Sequence, residues 1–325
     1  MIVILTALEL EYAAVAARMT TVEPLQLDAG TWFEVGRMGP AADREVALAG
    51  IGVGTGSAAA ITALAIARLR PEAVLFVGVA GGLRDWLRIG DVVVATRVYS
   101  YHGARNSPGR VSARPRAWDA SHRLEQAARY VSRRHEWYSG PPERPSVHFD
   151  PIAAGDELLD DRDSALARRL RDHYDDAVAV EMESSGVAQA GHLLNATPTL
   201  TMRGISDFAD GGKQRADDGG SQHRAADNAA AFCAALVAHL PAVVPEPGGT
   251  PAGKSPPVTT RDQARPDPGD SPVVVSNNAS GNARVVVQAG TFSGVVSVGE
   301  YPARPAAEGD PSTGSDPSTG KEVGP

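Results

Sequence analysis

The stretch Ala177–Ser185, which reads AVAVEMESS, decides how this chain folds. It opens with a short apolar run rich in valine, which is typical of a buried strand. Glu181 and Glu183 end that run, and Ser184 and Ser185 can then begin a helix. In open α/β sheets, ligands bind just beyond the carboxyl ends of the strands. We therefore expect both glutamates to lie where a small molecule would bind.

A second predicted strand also ends in acids. Thr199–Met202 follows the helix-breaking Pro198 and leads through Arg203 to Asp207 and Asp210. Carboxylates crowded at neighbouring strand ends are costly unless they handle protons or bind hydroxyl groups. The alternative is that these acids have only a structural role, capping helices or pairing with Arg203.

Composition limits the possible classes of protein. The chain has 325 residues and a net charge of −8, which argues against electrostatic binding of nucleic acid over a broad surface. Cys233 is the single cysteine, so no intramolecular disulfide can form, and its Ala-rich surroundings predict a buried thiol in a helix. The apolar start Ile2–Leu8 is too short for a signal peptide, and no apolar run approaches the ~20 residues of a membrane span. We expect a cytoplasmic protein without a membrane span.

The first 240 residues alternate between predicted strands and helices, which indicates an α/β fold. Further strands are predicted at Ile2–Leu5, Thr31–Arg37, Arg44–Leu48, Ala73–Val77, Val92–Thr96 and Val147–Ala153, the second and third as an antiparallel pair. Helices are predicted at Glu9–Met19, Ser57–Leu69, Leu124–His135, Ala165–His173 and Ala225–His239.

The sequence allows more than one role for two glycine-rich turns and one basic loop. Ala49–Gly56 precedes a helix, so its amides could hold phosphate, or its glycines could simply allow a tight turn. Gly78–Leu83 could let backbone approach a flat ligand. Tyr99–Pro115 is predicted to be a loop whose tyrosine, histidine and arginine side chains reach a phosphate or ribose, or are merely solvated. The side chains concerned are Tyr101, His102, Arg105 and Arg110.

After residue 240 the composition changes. Residues 241–272 are rich in Pro, Gly and Thr and are predicted to be a disordered linker. Residues 273–299 hold short valine-rich β-formers separated by Asn and Gly, a composition typical of segments that stack on other copies. Residues 300–325 are acidic and Pro-rich, repeat Asp-Pro-Ser-Thr-Gly, and are predicted to be a disordered tail.

The first 240 residues resemble the purine nucleoside phosphorylase and uridine phosphorylase superfamily, and within it the methylthioadenosine/S-adenosylhomocysteine nucleosidases. That resemblance implies a three-layer fold, a mixed sheet flanked by helices, and an enzyme that breaks N-ribosidic bonds without metal or cofactor. A homo-oligomer of the core is also implied. The motifs that carry the resemblance are Thr6–Glu11, Gly50–Gly52, Val77–Leu83, Gly90–Val93, Val180–Glu183 and Arg203–Asp207.

The resemblance also implies roles for single residues. Asp207 would protonate or hydrogen-bond the purine at N7, and Glu183 would hold the ribose hydroxyls. Met182 would pack against the sugar, and Glu11 would activate water, which favours hydrolysis over phosphorolysis. The other expected substrate-binding residues are Glu181, Gly81, Val79, Leu158 and Arg203.

Two positions depart from the nucleosidase pattern. Val79 stands where a serine is usual, and Leu158 stands where an aromatic residue often stacks on the base. With Arg105 and Arg110 as possible phosphate contacts, the substrate could be a purine nucleoside or a nucleotide such as AMP, ATP or NAD. A phosphate-dependent phosphorylase and a non-catalytic nucleotide-binding module remain alternatives.

Residues 277–298 resemble bacterial amyloid signalling motifs similar to the RIP homotypic interaction motif. The expected amyloid core is Val287, Gln288, Ala289 and Gly290, flanked by Asn282 and Phe292. The resemblance implies that an NLR-like sensor with a matching motif recruits the enzyme as an effector in programmed cell death. The alternative is an ordinary β-prone tail.

Overall fold

The computed structural model describes residues 1–27, 30–39, 43–140, 143–194, 197–210 and 220–240, without the side chains of Arg110 and Val111. The predicted linker, amyloid segment and tail lie outside these residues. No helix in these ranges is long and apolar enough to cross a membrane.

A mixed sheet of ten strands lies at the centre, in the order β11-β10-β6-β12-β5-β1-β4-β3-β2, with β9 paired to β6. A separate hairpin pairs β7 with β8. The strands are β1 (Ile2–Thr6), β2 (Thr20–Gln26), β3 (Trp32–Met38), β4 (Arg44–Gly50), β5 (Val74–Gly82), β6 (Val92–Ser100), β7 (Ala104–Ser107), β8 (Arg110–Ala113), β9 (Arg116–Asp119), β10 (Val147–Ala154), β11 (Ala179–Glu181) and β12 (Thr199–Asp207).

Helices cover both faces of the sheet because successive strand side chains point to opposite faces. Ile2 and Ile4 of β1 pack in one apolar cluster with the last helix, whereas Val3 and Leu5 pack in another with the second helix. The predicted three-layer arrangement is therefore present. The helices are α1 (Glu9–Ala16), α2 (Thr55–Leu69), α3 (His122–Arg134), α4 (Ala165–His173), α5 (Ser184–Leu193) and α6 (Ser221–His239).

The parallel strands at the centre place their carboxyl ends at one edge. β1 runs parallel to β4 and β5, and β12 runs parallel to β5. β11 runs parallel to β10 and also pairs with the end of β5 in the antiparallel sense. That second pairing brings Val180 opposite Gly81, so the two acid-bearing strand ends lie beside the glycine-rich end of β5.

Three predictions about local structure were wrong. β5 does not break at Gly78 but continues to Gly82, because β12 pairs with it from Val74 to Gly81 and β11 pairs with its last two residues. The segment Tyr99–Pro115 is not a loop, since the end of β6 and the β7–β8 hairpin occupy it. α1 ends at Ala16, and a strand absent from the predictions, β2, follows it.

β2 is an outer strand that pairs only with β3 among the described strands. Its register shifts between Thr20 and Glu23, and Thr21 has a positive φ of 55°. Pro24 lies in the middle of the strand, where proline is tolerated because no described strand pairs with the outer side. Cys233 is buried in α6, as predicted, and burial raises the pKa of its thiol.

Candidate active site

A cavity of about 610 Å³ lies at the carboxyl ends of β1, β5, β11 and β12. The predicted acids Glu11, Glu181, Glu183 and Asp207 all border it. The sheet thus brings together residues that are up to 196 positions apart in the chain. The other lining residues are Ala7, Leu8, Glu9, Leu10, Val53, Val79, Ala80, Gly81, Glu157, Leu158, Leu159, Val180, Met182, Ser206 and Gln222.

Glu11 is held by backbone amides from two strand ends. Its Oε2 accepts hydrogen bonds from the N–H groups of Ala7 at 2.8 Å and Leu8 at 2.9 Å, just after β1. Its Oε1 accepts one from the N–H group of Val79 in β5 at 2.8 Å. The bond to Leu8 also caps the start of α1, a common role of an acid in a first helical turn. The carboxylate is fixed at the cavity wall and is only 2% exposed.

Arg203 is fully buried and is shared by three carboxylates. Its Nη2 forms a very short contact with Glu181, and its guanidinium lies 3.6 Å from Glu183 and 3.8 Å from Glu11. The guanidinium carbon also lies 4.0 Å from the ring centroid of Phe76. Charges this deep in a protein must be paired, so Arg203 allows the three acids to stay close together. It serves the acids as a counter-ion beneath the cavity.

Gly78 provides the space for this arrangement. A Cβ atom at that position would overlap both Arg203 Nη1 and Glu11 Oε1. The glycine therefore lets the guanidinium pass close to β5, which is the physical reason for a glycine inside a buried strand.

Glu181 is committed to protein partners. Besides Arg203, its carboxylate accepts from the N–H of Ser184 at 3.1 Å and the Oγ of Ser184 at 2.6 Å, and so caps α5. It also accepts from the N–H of Glu183 at 3.1 Å. Glu181 thus has the capping and pairing role weighed as the alternative, and because it also lines the cavity, the substrate contact stays a prediction.

Glu183 has a freer carboxylate than Glu181. Its Oε1 accepts from the N–H of Gly54 at 3.1 Å, and its Oε2 faces Arg203. Burial, followed by the nearby charge of Glu181, raises the pKa of Glu183 to about 7, although Arg203 acts in the opposite direction. A carboxyl group with this pKa can change its protonation state near neutral pH.

Asp207 is oriented by its neighbours in the chain. Oδ2 accepts from the Oγ of Ser206 at 2.8 Å, and Oδ1 accepts from the N–H of Ala209 at 2.9 Å. Ala209 has a φ of 52°, an uncommon conformation for a residue with a Cβ atom. Gly81 lies alongside, since a Cβ there would come within 3.1 Å of Asp207 Oδ1. The end of β12 thus holds one carboxylate against the cavity.

Two amides of the glycine-rich turn before α2 are already bonded to protein carboxylates. The N–H of Gly54 is bonded to Glu183, and the N–H of Thr55 is bonded to Asp156 Oδ1 at 2.6 Å. Gly52 and Gly54 have φ values of 70° and 107°, which favour glycine. The Oγ1 of Thr55 donates to the carbonyl of Met182 at 3.1 Å, so this turn fastens α2 to the acid-bearing strand.

The remaining predicted residues divide into two groups. Met182, Val79 and Leu158 line the cavity, and Leu158 is 57% exposed at its mouth. Arg105 is exposed on β7 and is not part of the described lining, while the side chain of Arg110 lies outside the described residues.

Two aromatic side chains of the basic segment also have protein partners. Tyr101 is buried, and its hydroxyl donates to the carbonyls of Gly155 at 3.0 Å and Glu157 at 2.8 Å, so it cannot reach a ligand as suggested. His102 Nε2 accepts from the N–H of Asp156 at 2.5 Å.

Val53 and Gln222 also line the cavity but were absent from the sequence predictions. Val53 lies inside the glycine-rich turn, whose glycines suggested a role for the backbone and not for this side chain. Gln222 lies in the first turn of α6, and no local pattern marks it, because only the packing of α6 on β12 brings it to the site.

A family model described as "Phosphorylase superfamily" matches residues 1–238. The chain belongs to the phosphorylase superfamily. Two curated relatives of this chain are named as nucleosidases. It is 33% identical over 153 residues to the 5'-methylthioadenosine/S-adenosylhomocysteine nucleosidase of Bacillus licheniformis, covering 46% of the chain and 62% of that enzyme. It is 30% identical over 176 residues to the ATP nucleosidase Cap17 of Escherichia coli, covering 48% of the chain and 34% of that protein.

Solved structures of two enzymes share the fold. The methylthioadenosine/S-adenosylhomocysteine nucleosidase of Neisseria meningitidis, in complex with methylthio-immucillin-A, has a TM-score of 0.63 and 27% identity, with 73% of this chain and 98% of that chain covered. The futalosine hydrolase of Helicobacter pylori has a TM-score of 0.61 and 25% identity, with 73% and 96% covered. The relatives of this phosphorylase-superfamily chain are thus nucleosidases and related hydrolases, the class of enzyme that the sequence predicted.

Proposed function

We propose that residues 1–240 hydrolyse the N-ribosidic bond of a purine nucleoside or nucleotide. Breaking this bond builds positive charge on the sugar and negative charge on the departing base. Asp207 protonates or hydrogen-bonds the base at N7, and Glu183 accepts hydrogen bonds from the ribose hydroxyls. Glu11 takes a proton from the attacking water, and Met182 packs against the sugar.

The hydrogen bonds that Glu11 accepts favour water over phosphate as the nucleophile. Glu11 already accepts hydrogen bonds from Ala7, Leu8 and Val79, the amides at the ends of β1 and β5. A phosphate anion would need such donors or a cationic side chain, and a carboxylate beside it would repel it. The described lining contains no Lys, Arg or His. This supports hydrolysis over phosphorolysis, since a carboxylate in contact with the cavity is suited to activating a neutral nucleophile.

The same lining bears on the substrate. Leu8, Leu10 and Val53 supply apolar wall, and Glu9 and Glu157 add negative charge. These residues favour a purine nucleoside with an uncharged 5′ group over a triphosphate. The nucleotide alternative rests on Arg105 and Arg110 and on the similarity to a protein named as an ATP nucleosidase.

The test is chromatographic detection of free base. Wild-type protein is incubated with methylthioadenosine, S-adenosylhomocysteine, adenosine, AMP, ATP and NAD, with and without phosphate. We expect adenine release that does not require phosphate and that falls at least about 100-fold in Asp207→Asn and in Glu11→Gln. Dependence on phosphate would establish a phosphorylase, and binding without turnover would establish a nucleotide-binding module.

We further propose that residues 273–299 recruit the enzyme through amyloid templating by a sensor protein that carries a matching segment. The support is the sequence: a valine-rich segment with Asn and Gln, joined to the core by a Pro- and Gly-rich connection. Recruitment would raise the local concentration of cores and favour their oligomers. The effector role in cell-death signalling follows from this proposal.

A further inference from the structure

The peptide group between Phe208 and Ala209 connects the proposed general acid to a residue outside the cavity. Its N–H is the group that donates to Asp207 Oδ1 at 2.9 Å. Its carbonyl oxygen accepts a hydrogen bond from Arg162 Nε at 3.0 Å. A single planar unit therefore has a guanidinium on one end and the carboxylate of Asp207 on the other.

Arg162 is itself held in place. Its Nη1 lies 2.8 Å from Asp85 Oδ1, in the segment that follows β5. Its carbonyl accepts from Arg171 Nη1 of α4 at 2.6 Å. Its guanidinium carbon lies 5.8 Å from the ring centroid of Phe208. The contacts with Asp85 and Phe208 orient the guanidinium toward the turn after β12, and the bond from Arg171 anchors the backbone that carries it.

The turn that Arg162 contacts needs support. Ala209 occupies the left-handed region at a φ of 52°, a conformation that is unfavourable for a residue with a Cβ atom. Such conformations persist where surrounding contacts determine them, and they cluster at functional sites. Without the bond to Arg162, the peptide could rotate and withdraw its N–H from Asp207.

We propose that Arg162 is a positioning residue for Asp207. It fixes the plane of the Phe208–Ala209 peptide, and its positive charge polarises that peptide, which makes the N–H a stronger donor to the carboxylate. Arg162 does not line the substrate cavity, so it acts on the reaction only through Asp207. The inference rests on the proposed function of Asp207.

The kinetic test compares Arg162→Ala, Arg162→Lys and Arg162→Gln on the nucleoside that wild-type protein turns over best. We expect kcat to fall about 10- to 100-fold in Arg162→Ala, the loss typical of a misplaced catalytic group, with KM changed less than about 2-fold. The lysine and glutamine variants should retain more activity, because each keeps a donor. Arg168→Ala is the matched control, since Arg168 is an exposed arginine of α4 whose contact lies within its own segment.

Chemical rescue separates positioning from folding. Arg162 also lines a second cavity of about 420 Å³, between Leu83–Trp86 and α4, which gives solutes access to the vacated position. Millimolar guanidinium should restore part of the kcat of Arg162→Ala and leave Arg168→Ala unchanged. An unchanged kcat in Arg162→Ala, or a loss that tracks the folded fraction and is not rescued, would overturn the proposal.

Hydrogen exchange at the Ala209 amide gives a readout that does not require turnover. That N–H should exchange at least about 10-fold faster in Arg162→Ala than in wild type, while amides of β1 stay protected. If wild-type protein released no base from any nucleoside, the proposed function would fail, and this exchange rate would still decide whether Arg162 holds the turn. Equal exchange in both proteins would refute the positioning role.

Discussion

At the scale of the residue, Arg203 is the charge on which the site depends. Three carboxylates approach one guanidinium that is fully buried, and one face of that guanidinium lies against Phe76. Removing water from these groups is costly, and only their mutual pairing offsets the cost. The balance also explains why Glu183, the least well bonded of the three acids, has a raised pKa.

Arg203→Met should therefore destabilise the core by about 3–5 kcal/mol, because it leaves buried carboxylates without their cation. Urea unfolding followed by circular dichroism measures the change. Arg97→Met is the control, since the Arg97–Asp119 pair is exposed and worth at most about 1 kcal/mol. Equal losses in the two variants would contradict this account of the cluster.

Glu183 makes stability depend on pH in a known direction. Its pKa is about 7 in the fold, against 4.5 for an unperturbed glutamate, so between these values the folded state binds more proton than the unfolded state. This group's contribution to stability is therefore present below pH 4.5 and is lost as the pH rises toward 7 and beyond.

In Glu183→Gln that loss is absent, so the variant should gain roughly 1–3 kcal/mol relative to wild type between pH 5 and pH 8. Urea midpoints of both proteins across this range measure the gain. Glu9→Gln, an exposed acid at the same cavity, should run parallel to wild type. A constant difference between Glu183→Gln and wild type would show that the glutamate does not titrate there.

At the scale of the element, the close crossing of α2 and α5 sets the position of Glu183. Gly186 lies in α5, and a Cβ there would overlap the carbonyl of Thr55 and come within 2.9 Å of the N–H of Ala59. Thr55 begins α2 and is bonded to the carbonyl of Met182. The contacts that pack α2 against α5 therefore also fix the position of Glu183.

Gly186→Ala should push α2 away and so draw the Gly54 amide from Glu183. We expect a loss of about 1–3 kcal/mol in unfolding free energy, as for other overpacked positions, together with a raised KM. Gly56→Ala is the matched control, because nothing lies within 4 Å of its Cβ position and alanine favours a helix. A variant Gly186→Ala with wild-type stability and KM would show that the helices accommodate the methyl group.

Local sequence patterns predicted the elements that bear the site, but not the contacts between them. The apolar run before Glu181 and the serines after Glu183 were sufficient for β11 and α5. The β7–β8 hairpin was missed because its arginines and glycines resemble an exposed loop. Thr55 and Arg162 act through partners that lie 127 and 46 residues away in the sequence. A local pattern of apolar and polar residues cannot reveal contacts over such separations.

At the scale of the whole molecule, the proposed division into an enzyme core and an assembly segment predicts that the two can be separated by mutation. Gln288→Asp would place a charge in every rung of a stacked segment, which like-charge repulsion opposes. It should abolish fibres in a thioflavin assay while leaving the unfolding midpoint of the core unchanged.

Ser312→Asp is the control for Gln288→Asp, because it adds the same charge in the predicted tail. Fibres should form as in wild type. Fibres from Gln288→Asp, or their absence from Ser312→Asp, would count against the proposed amyloid core.

The outer strand β2 affects whether cores can pair edge to edge when many copies are crowded onto a fibre, as the proposed recruitment implies. A straight strand with a free ladder side offers a template on which other chains can add by β-augmentation. Pro24 removes a donor from that side, and the shifted register at Thr20–Glu23 distorts the ladder. This edge of the sheet is thereby guarded against edge-to-edge aggregation. Under the proposed recruitment, cores brought together at high density would keep their native fold.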